Sequence, residues 1–202
     1  MAFFKTKKWH GEALPVSVVI CAKNESKNLL AFLPFYLHQQ HPVFEIIVVN
    51  DNSVDDTAAI LKRFQLQHQQ LKVVNVPDTN HFYGNKKFAL TLGIKAAQYN
   101  NVLLTDADCK PATNQWITLM SQYELGKEIV LGIGNYEQKK GLLNKIIRFE
   151  TFYTAAQYLS FALAKIPYMG VGRNLGYQKQ LFFKNKGFSS HQHILSGDDD
   201  LL

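Results

Sequence analysis

Apolar runs alternate with amphipathic segments through the first half of the chain. The apolar runs show little polar alternation, which is typical of strands buried on both faces of a parallel sheet. The segments between them carry apolar residues at helical spacing. The pattern predicts strands at residues 16–22, 45–50, 71–76 and 101–108, and helices at residues 26–38, 55–67, 86–99 and 113–123.

This repeated strand–helix order predicts an α/β fold with an open, mostly parallel sheet and helices on both faces. Ligands of such sheets bind at the carboxyl ends of the strands. Polar residues follow three of the predicted strands, at residues 23–25, 50–53 and 105–108. We therefore expect the binding site at that edge.

The second half follows a different pattern. After an apolar run at residues 128–134, a long helix is predicted over 142–165, and a short apolar helix or turn at 178–183. A glycine-rich stretch, residues 170–176, lies between them. The 202 residues are enough for one domain, so we predict a single domain over 1–202.

Charge and cysteine content exclude several classes of protein. The net charge is +6, from 22 Lys and Arg against 16 Asp and Glu, but the basic residues are scattered and form no stripe that would follow nucleic acid. A small ligand that carries phosphate would use this charge equally well. Cys21 and Cys109 lack the spacing of a zinc site or of a disulfide framework. We expect no secretory signal and no membrane-spanning helix in this sequence.

Asp106 and Asp108 follow the fourth predicted strand, and strand alternation would send both carboxylates to the same side. Paired carboxylates at a strand end suit Mg²⁺ or Mn²⁺ bound together with substrate phosphate oxygens. The alternative is a solvated turn that caps a helix. Asp51 ends the second strand, where its carboxylate would accept the imide N–H of a uracil-like base. The polar residues after this strand have a structural alternative, because Ser53 or Asp55 can cap the helix that follows.

Lys86 and Lys87 begin a predicted helix, where cations oppose the helix dipole. A bound diphosphate would compensate them, while solvated surface lysines are the alternative. Near the end of the chain, Asp198, Asp199 and Asp200 form either an acidic tail or a cluster that contains a general base. His191 and His193 have a spacing that can chelate a metal, although histidines this close to the end of a chain are more often solvated.

Taken together, these segments resemble the family 2 glycosyltransferases, which are inverting enzymes with the GT-A fold that use nucleotide sugars. Asn52 stands where the family motif usually has glycine. The resemblance covers nearly the whole chain and rests on residues 16–25 (VSVVICAKNE), 46–57 (IIVVNDNSVDDT), 86–90 (KKFAL), 106–108 (DAD), 170–176 (GVGRNLG) with 187–188 (GF), and 197–201 (GDDDL).

The resemblance implies transfer of a sugar from a nucleoside diphosphate, with UDP favoured, to an acceptor hydroxyl. It implies a donor-binding half at about residues 14–110 and an acceptor-side half at about 111–202. Asp106 and Asp108 would hold Mg²⁺ or Mn²⁺, and Asp199, with Asp198 and Asp200 beside it, would supply the catalytic base. The implied donor-binding residues are Ala22, Lys23, Asn24, Glu25, Asp51, Asn52, Lys86, Asp106 and Ala107, and those on the acceptor side are Gly172, Arg173 and Asn174.

Membrane-associated members of this family continue beyond the base motif, so the chain resembles the catalytic portion of a longer protein. The helix at 142–165 has too many aromatic and aliphatic residues for one narrow buried stripe. We expect it to meet a bilayer surface at the cytoplasmic face of a membrane, or another part of the protein, with core packing as the alternative. The acceptor would be a carbohydrate or a lipid-linked molecule. A nucleotidyltransferase and a non-catalytic nucleotide-sugar-binding module are the alternative functions.

Overall fold

A computed structural model describes residues 13–77, 86–121 and 127–188. The strands are β1 (Val16–Ala22), β2 (Phe44–Asn50), β3 (Leu71–Asn75), β4 (Asn101–Asp106), β5 (Ile129–Leu131) and β6 (Leu175–Gln178). The helices are α1 (Ser26–Leu37), α2 (Thr57–Gln67), α3 (Lys86–Ala96), α4 (Trp116–Met120), α5 (Leu142–Leu163) and α6 (Lys179–Lys184).

The six strands form one sheet in the order β3-β2-β1-β4-β6-β5. The strands β1 to β4 pair in parallel, and β6 lies antiparallel between β4 and β5. The predicted α/β architecture, a mostly parallel sheet with helices on both faces, is therefore confirmed. Because β6 pairs with β4, the two halves of the chain share this sheet.

Both faces of the sheet are buried, which explains the continuous apolar runs. On β1, Val18 and Ile20 face α1, α2 and α4, in a cluster with Leu33. Val19 points to the opposite face and packs with residues of α3 and α6, including Ile94 and Phe182. Successive side chains of a strand point to opposite faces, so a strand covered on both sides needs an apolar residue at every position.

The structure differs from these predictions in several elements. The strand predicted over 101–108 ends at Asp106, and residues 107–108 form a turn. The helix predicted over 113–123 is reduced to the five residues of α4 within the described part of the chain. The strand β6 begins within the glycine-rich stretch and ends at Gln178; the sequence did not predict it because a four-residue strand with an internal glycine has little periodic signal.

The helix α5 packs only one stripe of its surface on the domain. Ala155 and Tyr158 are buried, whereas Phe149 and Phe152 are 66% and 60% exposed. The outward side of this helix therefore exposes more apolar surface than is usual for a helix that faces water. Among the described residues, no helix has the length and apolar character needed to cross a membrane.

Candidate functional site

The carboxyl ends of β1, β2 and β4 meet at one edge of the sheet, as predicted. The backbone N–H of Asp51 donates to the carbonyl of Ala22 at 2.8 Å, so the ends of β1 and β2 are held side by side. Asn24 and Asn52 then turn the chain away from the sheet with φ values of 57° and 49°. Asparagine tolerates this left-handed region better than most residues, which explains how Asn52 replaces the glycine of the family motif.

Side chains join the loops after β1 and β2 into one unit. The Asn24 N–H donates to Ser53 Oγ at 2.9 Å, and Asn24 Oδ1 accepts the N–H of Val54 at 2.8 Å. The Asp55 carboxylate accepts the N–H groups of Thr57 at 3.0 Å and Ser26 at 3.1 Å. Hydrogen bonds from Thr57, and then from Ser26, hold the pKa of Asp55 well below its usual range. Asp55 is therefore a capping residue, whereas Ser53 serves the loop.

Asp51 has a different environment from Asp55. It is 6% exposed, and its Oδ2 lies 3.7 Å from the ammonium of Lys23. Its Oδ1 is buried without a hydrogen-bond partner in the described part of the protein. A buried acceptor that lacks a donor costs about 1–3 kcal/mol, and a ligand that brings an N–H or O–H group can recover this energy. The geometry therefore gives Asp51 a free acceptor at the edge where a ligand is expected.

Asp106 and Asp108 come together through a turn rather than through strand alternation, which corrects the reasoning from sequence. The N–H of Cys109 donates to the carbonyl of Asp106 at 3.1 Å and closes this turn. Carboxylate oxygens of both aspartates and Cys109 Sγ lie within 4.8 Å of one another. Burial, followed by the charges of Asp108 and Asp106, raises the pKa of Cys109 to about 12, so the thiol stays protonated. The carboxylate oxygens fit a hard cation such as Mg²⁺ or Mn²⁺.

Two lysines at the start of α3 have different roles. Lys86 Nζ lies 3.1 Å from Asp106 Oδ1, so a carboxylate compensates the cation that opposes the helix dipole. Lys87 is 3% exposed, and its ammonium lies 5.9 Å from the centre of the Phe188 ring. The surface alternative is therefore wrong for Lys87. Ala107, between the two aspartates, is buried.

The residues expected on the acceptor side form a single 3-10 turn, Gly172–Asn174, which packs against β4. Asn174 Oδ1 accepts the indole N–H of Trp116 at 2.9 Å, and its Nδ2 donates to the carbonyl of Ile133 at 2.9 Å. This amide is thus occupied in holding the protein together. Arg173 Nε donates to the carbonyl of Gly134 at 3.0 Å.

Tyr36 and Trp116 connect the turn after β4 with the Gly172–Asn174 turn, and sequence reasoning missed both. The Tyr36 hydroxyl lies 3.0 Å from Thr105 Oγ1 and donates to the carbonyl of Cys109 at 3.0 Å. Its ring contacts Trp116 edge to face, with the centroids 5.6 Å apart. Burial raises the pKa of Tyr36, so the hydroxyl remains a donor. The only available signal was a tyrosine on the apolar face of α1.

Asp198, Asp199 and Asp200 lie outside the described residues, as do His191 and His193.

Comparison with known proteins identifies the family. Residues 17–185 match the model of Glycosyl transferase family 2. The chain belongs to this family. It is 30% identical over 146 residues to the poly-beta-1,6-N-acetyl-D-glucosamine synthase of Staphylococcus epidermidis, a match that covers 71% of this chain and 34% of that protein. It is 32% identical over 139 residues to the 4,4'-diaponeurosporenoate glycosyltransferase of Staphylococcus aureus strain USA300, which covers 67% of this chain and 35% of that protein.

The chain thus spans about a third of the length of these relatives. Among solved structures, it resembles the mannosyltransferase PcManGT from Pyrobaculum calidifontis, with a TM-score of 0.69 and 19% identity over 96% of this chain and 53% of that one. It also resembles TarS of S. aureus, with a TM-score of 0.62 and 19% identity over 93% of this chain and 32% of that one. These likenesses show the GT-A fold.

Proposed function

We propose that the protein transfers a sugar from a nucleoside diphosphate, UDP in particular, to an acceptor hydroxyl with inversion, and that this chain holds the donor. The buried Oδ1 of Asp51, which has no hydrogen-bond partner among the described residues, carries the proposal, because it lies at the same sheet edge as Asp106 and Asp108. The solved PcManGT structure is a complex with GDP-Man and Mn²⁺, and a TarS structure contains UDP. Family membership favours glycosyl transfer over nucleotidyl transfer.

The nucleotide base is proposed to lie against the loops after β1 and β2. The imide N–H of uracil would donate to Asp51, whereas cytosine presents an acceptor at that position and would face a carboxylate. The cross-linked loop containing Lys23, Asn24, Glu25 and Asn52 gives this pocket a fixed shape, since four backbone N–H groups are already bound by side chains. The base site would therefore select uracil over cytosine.

The diphosphate is proposed to lie beside β4. Asp108, together with Asp106, would hold Mg²⁺ or Mn²⁺, which supplies positive charge to a departing diphosphate. Lys86 already lies at Asp106 and would add a second positive charge when it turns towards the phosphates. A single displacement requires one base on the acceptor side, and we propose Asp199 for this role, with Asp198 and Asp200 as neighbours.

We also propose that α5 contacts the surface of an anionic bilayer at the cytoplasmic face of a membrane. Its outward side is apolar, and basic residues stand near both ends of the helix, as on interfacial helices. These are Lys139, Lys140, Lys145, Arg148 and Lys165. Co-sedimentation with phosphatidylserine vesicles, compared with phosphatidylcholine vesicles, tests this contact, and equal absence from both pellets would contradict it.

Calorimetry with UDP tests the donor site. Affinity should fall when EDTA replaces Mn²⁺, and Asp108→Ala should remove most of that difference. Asp56→Ala, at an exposed carboxylate that no hydrogen bond ties to the site, is the matched control. Release of UDP or GDP from a panel of nucleotide sugars then separates an enzyme from a binding module. Metal-independent affinity that Asp108→Ala leaves unchanged would show that the metal role is wrong.

A further inference from the structure

A cleft of about 390 Å³ lies between α5 and the segment that follows β5. Arg173 of the Gly172–Asn174 turn lines it, and that turn packs on β4, the strand that ends at Asp106. The antiparallel pairing of Leu104 with Leu175 brings Arg173 to this same end of β4. One lining residue of the cleft, Arg173, therefore lies near the carboxyl end of β4, beside the proposed donor site. Its polar lining residues include Tyr136, Glu150, Thr154 and Arg173.

Side chains hold one wall of this cleft in place. Three consecutive carbonyls after β5 each accept a side-chain hydrogen bond: Gly132 from the Tyr158 hydroxyl at 2.7 Å, Ile133 from Asn174 and Gly134 from Arg173. A Cβ at Gly134 would overlap the Arg173 side chain, so glycine permits this close approach. The wall is thus fixed although it is no longer part of the sheet.

The Arg173 guanidinium is positioned but not saturated. Within the described residues it donates through Nε alone, and it lies over the ring of Tyr136 at 5.8 Å. Its terminal nitrogens therefore keep their donors for a ligand. A guanidinium that is oriented in this way matches the two oxygens of a carboxylate or phosphate. Glu150 lines the same cleft without an ion pair to Arg173, so its carboxylate can accept a ligand hydroxyl.

Part of the cleft lining is apolar, and α5 carries exposed apolar residues beside it. Ile133, Ile147 and Val171 line the cleft. Ile146 and Tyr153, which lie four residues before and three residues after Glu150 on the helix, are exposed. A ligand held at Arg173 would thus meet hydrocarbon within the cleft and along the helix beside it.

We propose that this cleft binds the head of an amphiphilic acceptor: a lipid whose phosphate or carboxylate pairs with Arg173 and whose chain follows the apolar side of α5. The inference rests on the proposed function, since it names the acceptor class of that enzyme. Charge complementarity at Arg173 and the apolar surface beside it are the two observations that favour an anionic lipid over a neutral oligosaccharide.

Titration of the full chain with dodecyl phosphate, below its micelle concentration, tests the inference by calorimetry. Arg173→Gln should weaken binding at least tenfold, while Arg63→Gln, the same change at an exposed position of α2 outside the cleft lining, should leave it unchanged. Thr154→Phe, which adds bulk to the cleft lining and leaves the residues bonded to the three carbonyls unchanged, should also abolish binding. Both cleft variants should bind UDP and Mn²⁺ as the wild type does, which shows that they are folded.

Several results would overturn the inference. If dodecyl maltoside binds with the same affinity as dodecyl phosphate, the cleft does not recognise the anionic group. If inorganic phosphate binds with the same affinity as dodecyl phosphate, the cleft does not recognise the alkyl chain. A neutral oligosaccharide that binds in the cleft, and is lost in Thr154→Phe, assigns the site to carbohydrate. If the wild type does not bind UDP, the proposed function is contradicted rather than the inference about the cleft, because the UDP titration is independent of the lipid titration.

Discussion

Replacement of Asp51 by Asn should change UDP affinity and protein stability in opposite directions. The carboxylate is buried with one unpartnered oxygen, and its neighbour Lys23 is 3.7 Å away and partly exposed. An ion pair of that kind contributes little, because water screens the lysine. Burial of this charge therefore destabilises the free protein, and a ligand that donates a hydrogen bond to the carboxylate would recover that energy.

The magnitudes follow from the change of charge. A hydrogen bond to a charged group contributes about 1.5–3 kcal/mol and a neutral one about 0.5–1.5 kcal/mol. Asp51→Asn should therefore weaken UDP binding by about 1–1.5 kcal/mol, which is roughly five- to tenfold. A neutral amide costs less to bury than a carboxylate, so the free protein should gain about 1 kcal/mol, or roughly 2–4 °C in Tm.

Calorimetry with UDP and CDP, together with thermal unfolding of the free protein, measures both effects. The preference for UDP over CDP should shrink in Asp51→Asn, because an amide can present its NH₂ group to the acceptor nitrogen of cytosine. The matched control is Asp56→Asn, the same substitution at an exposed position. A variant that loses stability and binds UDP with wild-type affinity would refute the reasoning, since Asp51 would then be a structural residue.

Three further predictions concern other parts of the protein. Asp199→Asn should lower turnover by roughly a hundredfold to ten-thousandfold with nearly unchanged UDP affinity, because a general base acts on the acceptor; normal turnover would remove Asp199 from this role. Asp55→Asn should lower the Tm at neutral pH. The pKa of Asp55 is depressed in the folded state, so its contribution to stability is present above the ordinary pKa of a carboxyl group and is lost as the pH falls below that value. The difference in Tm between Asp55→Asn and the wild type should therefore disappear in acid. A difference in Tm that persists in acid contradicts the capping role. Asn174→Ala should cost about 1–3 kcal/mol in urea unfolding, since Trp116 and Ile133 each lose a partner, and a neutral result would show that water replaces the amide.

The sequence by itself determined the parallel part of the sheet and the edge where the candidate site lies. The apolar run of β1 has no polar alternation because both faces of that strand are covered, and this requirement is local. The strand–helix order then predicted parallel pairing, and parallel strands bring their carboxyl ends to one edge. Asp51, Asp106 and Asp108 were therefore found from their positions after strands.

Tertiary structure decided which strands and side chains that are far apart in the sequence become neighbours. The antiparallel insertion of β6 between β4 and β5 is a choice of neighbours that no local period encodes. The unpartnered oxygen of Asp51 is likewise a property of its surroundings. The clearest case is the cleft beside α5, where Tyr158, Arg173 and Asn174 each donate to the segment after β5 across 26 to 41 residues of sequence. Hydrogen-bonding capacity is present in every such residue, but its use depends on which backbone group the fold brings within reach.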